Sequence, residues 1–124
     1  MAEFYDHEVV QRAPEDYVES HHTPQDILKA WATSIFAHEI LTDGGEIKPQ
    51  KAMQEATLEK FIAATDAFKK GESQPKPIIG VGIMDNIEIG IGREIIAAAK
   101  DFGIDTLPVH MRKAQAAEIE KMLK

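Results

Sequence analysis

The feature that most narrows the fold is a change of character at Pro75-Lys76-Pro77. Residues 78–84, Ile-Ile-Gly-Val-Gly-Ile-Met, form an uncharged apolar run closed by Asp85-Asn86. A run this short between turn signals reads as a buried strand. From Ile87 the spacing changes: Ile87, Ile91, Ile95, Ala98 and Phe102 recur at intervals of 4, 4, 3 and 4, a helical stripe. Gly103 then supplies a left-handed C-terminal residue. Residues 104–109 make a second strand, and 113–124 a last helix with Ile119, Met122 and Leu123 inward. Strand, helix and strand within about thirty residues form a βαβ unit, nearly always parallel and right-handed. The expected class is α/β, with α+β as the alternative, built on a small parallel sheet.

Ahead of Pro75 the chain reads as helical. Thr23-Pro24-Gln25-Asp26 is a helix start, with Thr23 as N-cap and Pro24 at the first helical position. Ile27, Leu28, Trp31, Ile35 and His38 carry that helix to about Thr42, where Asp43-Gly44-Gly45 stops it. Pro49 opens a second helix in which Met53, Thr57, Phe61, Ala64 and Phe68 form one row and Leu58, Ile62 and Thr65 another. Lys69-Lys70-Gly71 ends it. Two helices joined by a short loop predict an antiparallel hairpin, with Phe61 and Phe68 on Trp31 and Ile35. The plan is an acidic N-terminal arm over 1–22, a helical hairpin over 23–71, a proline-stiffened linker over 72–77 and a βαβα unit over 78–124, all in one compact domain. In the arm, residues 4–10 fit a short strand or one helical turn equally, and Pro14 interrupts either.

Composition removes several function classes. At 44% apolar residues the chain can build a core. It has no cysteine, which excludes disulfides, thiolate catalysis and cysteine-held clusters. No segment approaches the roughly 18 apolar residues of a membrane span, and the acidic start lacks a signal-peptide layout. A cytoplasmic address is expected, with no membrane association. The net charge is −7, and Arg12 is the one Lys or Arg among the first 26 residues. Such a chain repels phosphate backbones, so no nucleic-acid partner is expected.

The glycines are the first candidates for binding. Gly80-Val81-Gly82 between strand and helix has the context in which G-x-G-x-x-G holds a pyrophosphate on backbone N–H groups. Here Asp85 replaces the third glycine and would repel a phosphate. Bare glycines on a strand also let a helix approach closely. Gly90 and Gly92 sit badly inside a helix, each costing up to about 1 kcal/mol against alanine. They make room for a neighbour, or residues 85–91 form a loop that holds an anion. Gly80, Gly82, Asn86, Gly90 and Gly92 are the candidate cofactor-binding set, for a cofactor the sequence does not identify.

In a parallel βαβ unit the loops after both strands lie side by side, where open α/β sheets bind ligands. That reasoning brings Asp85 and Asn86 toward His110 and Arg112. Asp85, His110 and Arg112 are the catalytic candidates, able in principle to do acid–base work or hold a small anion. A surface ion pair worth under about 1 kcal/mol is the plainer reading of the same residues. His38 reads as a core histidine on the first helix. His7, His21 and His22 match no closed metal spacing, and no metal is expected. Gly-x-Ser-x-Gly, the P-loop and His-Glu-x-x-His are all missing.

Two strands alone are not a stable sheet, and residues 78–84 carry no charge to protect an open edge. A further strand must come from the arm, from a second copy or from a foreign chain. The expected function is therefore a small non-catalytic subunit or accessory protein acting through homo- or hetero-oligomeric assembly, a homodimer by default. The alternative is a small enzyme, or an anion- or nucleotide-binding protein, with its pocket at the C-terminal ends of the two strands.

Overall fold

The structure, a computed structural model, describes residues 3–123. The first segment contributes β1 (Phe4–Tyr5), α1 (Glu8–Arg12), one helical turn (Pro14–Asp16) and β2 (Tyr17–His22). Then come α2 (Pro24–Trp31), α3 (Glu55–Lys70), β3 (Gln74–Pro75), β4 (Ile78–Val81), β5 (Ile87–Ile91), α4 (Arg93–Phe102), β6 (Leu107–Arg112) and α5 (Ala116–Met122). The fold is mixed α/β. Four strands form one sheet in the order β2-β6-β4-β5, and β1 pairs with β3 in a separate parallel ladder.

β4 and β6 run parallel, with Ile78 opposite His110. The helix expected from Ile87 is a correction. Residues 87–91 are β5, antiparallel to β4, and α4 begins only at Arg93. Ile87 and Ile91 fit a helical spacing, but Ile87, Ile89 and Ile91 also alternate with Glu88 and Gly90. The strand pattern wins because it buries Ile87 and Ile89 and keeps Gly90 and Gly92 out of a helix. The pairing shifts register between Ile78 and Ile79, which leaves Gly90 as the extra residue of a bulge. Gly92 adopts φ +90, and a Cβ there would lie 3.0 Å from the Pro77 Cβ, so both backbone and space demand glycine.

The helical hairpin over 23–71 is also absent. Thr23 caps α2 as expected, accepting from the Asp26 N–H at 3.1 Å, but the helix ends at Trp31 rather than Thr42. Ser34 ends it: its hydroxyl accepts from the Phe36 N–H and donates to Glu88, competing with the helical ladder. α2 packs on α4 and β5, and α3 packs on α4. Ile35 is therefore exposed instead of meeting Phe61, and His38 is exposed too, its Nδ1 2.6 Å from the Ile35 carbonyl. Thr57, Phe61, Ala64 and Phe68 face the core as their spacing predicts, whereas Ile62 is exposed. Phe68 stacks on Phe102 and meets Phe4 edge-on.

Leu107, Val109 and Met111 of β6 are fully buried against the helices. By strand alternation Pro108, His110 and Arg112 face the other side. Register places His21, Glu19 and Tyr17 of β2 beside them in that order.

Candidate functional site

Four side chains from four segments converge where the chain enters β4. The β2–β6 register sets Glu19 opposite His110, and the β4–β6 register sets Ile78 opposite His110. Lys76 lies two residues before Ile78, and its backbone N–H donates to the Tyr5 carbonyl, which brings Asp6 alongside. The Lys76 ammonium donates to Asp6 Oδ1 at 2.8 Å and to Glu19 Oε1 at 2.5 Å. His110 Nε2 stands 4.0 Å from both of those oxygens. His21 Nε2 is 3.7 Å from the other Glu19 oxygen.

Burial sets the character of each group. The hydrogen bond from Lys76 holds the Asp6 carboxyl below its ordinary range, against a smaller opposing effect of burial. Burial works against the Lys76 charge, but the two carboxylate hydrogen bonds together outweigh it and raise its pKa. His110 is only 6% exposed, and its Nδ1 is buried with no hydrogen-bond partner among the described residues. Burial lowers its pKa, with Lys76 adding to the effect and the two carboxylates opposing it. The cluster is thus an ammonium shared by two carboxylates above a neutral imidazole. The Tyr17 ring meets His110 edge-on, and the Arg112 guanidinium lies over Tyr17 at 5.6 Å. Beside Lys76 opens a groove of 650 Å³, lined by Phe4, His21, Pro108 and the loop 103–106.

The residues singled out from sequence fall in four places, His110 in the charged cluster being one. Gly80, Gly90 and Arg112 share a cavity of 160 Å³ between β4 and β6, with Tyr17 and Glu88. Ligand pockets usually measure about 300–1,000 Å³, so this one suits nothing as large as a nucleotide. Gly82, Asp85 and Asn86 belong to the β4–β5 turn, and Gly92 to the start of α4. His110 lies level with the first residue of β4, while Asp85 follows its last, so the two sit toward opposite ends of that strand. Asp6, Glu19 and Lys76 escaped the sequence reading. The alternation of Tyr17, Glu19 and His21 was a strand signal, but Lys76 between two prolines carries no signal of what it pairs with.

The β4–β5 turn is the second unusual place. The Gly82 N–H donates to the Asn86 carbonyl at 2.7 Å, and the Asp85 N–H to the Gly82 carbonyl at 3.1 Å. Asp85 takes φ 55, the left-handed residue that closes a three-residue hairpin loop. A Cβ on Gly82 would meet Asn86 Oδ1 at 2.7 Å and Glu88 Cγ at 2.8 Å. Glycine is there to admit those side chains, which accounts for it without a phosphate. The Asn86 amide donates to Glu88, which also accepts from the Ser34 hydroxyl, tying residues 34–36 to the hairpin. At the tip Ile83 is 101% exposed and Met84 80%, and beyond Ser34 Ile35 is 77% exposed.

Comparison with known protein families, with curated proteins and with solved structures finds no match to this chain.

Proposed function

We propose that this chain is a small non-catalytic subunit or accessory protein that works by assembly, docking through the apolar tip of the β4–β5 hairpin. The observation that carries this reading is the exposure of Ile83 and Met84 at 101% and 80%. Turn tips ordinarily take Gly, Asn, Asp or Ser. Ile35 and Phe36 add exposed apolar surface on the segment that Glu88 ties to the hairpin. Clustered exposed apolar side chains mark interaction sites.

The open-edge argument for assembly no longer applies, since β4 has β6 on one side and β5 on the other. β2, from the acidic arm, extends the sheet beyond β6. What remains is the tip. A second copy is the proposed occupant, because a two-fold contact lets the same surface serve both chains. The charge of −7 disfavours a nucleic-acid partner, and the lack of cysteine suits a cytoplasmic setting.

Light scattering on the purified protein tests this, with Ile83→Ser/Met84→Ser as the comparison. A dimer mass that falls to the monomer mass in the variant supports the reading. A wild-type monomer at micromolar concentration that also leaves native lysate without a partner overturns it.

A second reading, a protein that binds a small ligand, rests on the groove of 650 Å³ beside Lys76. A thermal-shift screen of small metabolites separates the two: a ligand that stabilises the wild type but not a Lys76→Met variant favours the groove.

A further inference from the structure

We propose that Asp6, Glu19 and His110 form a divalent transition-metal site that the Lys76 ammonium occupies as an internal cation, and that a metal ion binds there by displacing it. The three donor atoms all lie within 4.8 Å of one another. A tetrahedral ion bound at 2.0–2.2 Å separates its ligands by about 3.3–3.6 Å. His110 Nε2 is 4.0 Å from each carboxylate oxygen, about half an ångström longer than those two separations would be around a bound ion, and the exposed carboxylates supply the remaining adjustment.

The acidic pair alone would not make a site. The independent observation is His110: an imidazole 94% buried (6% exposed), its Nδ1 without a hydrogen-bond partner among the described residues and its Nε2 4.0 Å from both carboxylates. The two carboxylates are far more exposed than the ring, with side-chain exposures of 46% and 37%, and are free to adjust around it. One fixed nitrogen and two adaptable oxygens match the ligand preferences of zinc or manganese rather than magnesium, which favours an all-oxygen shell.

Lys76 also has somewhere to go. It lines the groove of 650 Å³, so its flexible stem can carry the ammonium there when the ion enters. The exchange balances in charge. Two carboxylates and one ammonium sum to −1, and two carboxylates with a divalent ion sum to zero with the lysine released to solvent.

Calorimetric titration of the full chain with zinc chloride, and separately with manganese chloride, tests the proposal against Lys76→Met, His110→Gln and Asp6→Asn. The expected result is one ion per wild-type chain, binding at least tenfold tighter in Lys76→Met and at least tenfold weaker in His110→Gln and Asp6→Asn. Thermal shift on the same samples shows whether each variant is folded. Should Lys76→Met fail to fold, the wild type against His110→Gln and Asp6→Asn carries the test. The proposal is overturned if the wild type binds no ion, if His110→Gln binds as the wild type does, or if a folded Lys76→Met gains nothing. Unchanged binding in His110→Gln would assign the ion to the exposed histidines instead.

Discussion

At its start β4 is preceded by Lys76, half-buried between two carboxylates and a histidine, whereas at its end it runs into Ile83 and Met84, which face water. The ordinary distribution of charge and apolar surface is inverted at both ends, but the two inversions are held differently. Side chains from four segments meet at the first, and every charge there has a partner within hydrogen-bond reach except the neutral imidazole. At the second the backbone does the work: Gly82, Asp85 and Asn86 shape the turn, and the two apolar side chains stand largely in water. The first end is therefore coupled to stability and the second is not. A chain selected only to fold would have no use for an apolar tip, which is why we propose that assembly uses it.

The core sets the scale against which both ends are measured. Phe61 is 2% exposed inside the α3–α4 layer, and Phe61→Ala should cost about 3–5 kcal/mol in chemical denaturation. A variant as stable as the parent would mean that the helical layer is not the seat of stability. Next comes the charged end. Lys76→Met removes two hydrogen bonds to carboxylates and should cost about 1.5–3 kcal/mol in metal-free buffer. A loss below about 0.5 kcal/mol, the range of ordinary surface changes, would erase the distinction between the two ends of β4. Gly92→Ala should follow at about 1–2 kcal/mol, because a non-glycine residue is strained at that φ. Its crowding falls on Pro77, so the loss belongs to the anchored end; an unchanged melting temperature would show that α4 can start elsewhere.

How much of this was legible before the structure depends on which interactions each element needed. The body of α3 with its end at Gly71, the Thr23 cap, Gly103 and the parallel direction of β4 and β6 were readable because local spacing and capping residues decide them, but α3 begins at Glu55 rather than Pro49, since residues 50–52 close a separate helical turn that leaves Met53 extended. The early end of α2 was not, since it depends on Ser34 finding Glu88, 54 residues away. β5 was ambiguous rather than hidden. Ile87, Ile89 and Ile91 satisfy a period of two, while Ile87 and Ile91 satisfy a helix, and only the cost of Gly90 and Gly92 separated the readings. For the charged site, the expected second strand stopped at residue 109 and left His110 in the loop after it, beside the far end of β4, whereas His110 lies inside β6 and level with the start of β4. Parallel strands align their directions, not their registers, and His110 lies level with Ile78. Its true neighbours, Asp6, Glu19 and Lys76, are 104, 91 and 34 positions earlier in the sequence, beyond any local pattern.

The smallest expected effect on stability is at the tip, and it decides most about function. Ile83→Ser/Met84→Ser should change the unfolding free energy by less than about 0.5 kcal/mol at protein concentrations where the chain is monomeric, because side chains already in water lose no burial when truncated. The turn itself is untouched, since Gly82, Asp85 and Asn86 remain to close it. At higher concentration the parent should gain apparent stability as copies associate, while the variant should not, because binding to the native state alone adds to its stability by mass action. Thermal melts across a concentration series therefore separate the two roles. Parallel curves with equal concentration dependence would show that the tip takes no part in self-association. A variant that is markedly less stable at every concentration would show that Ile83 and Met84 pack within the fold, and the contrast between the two ends of β4 would disappear.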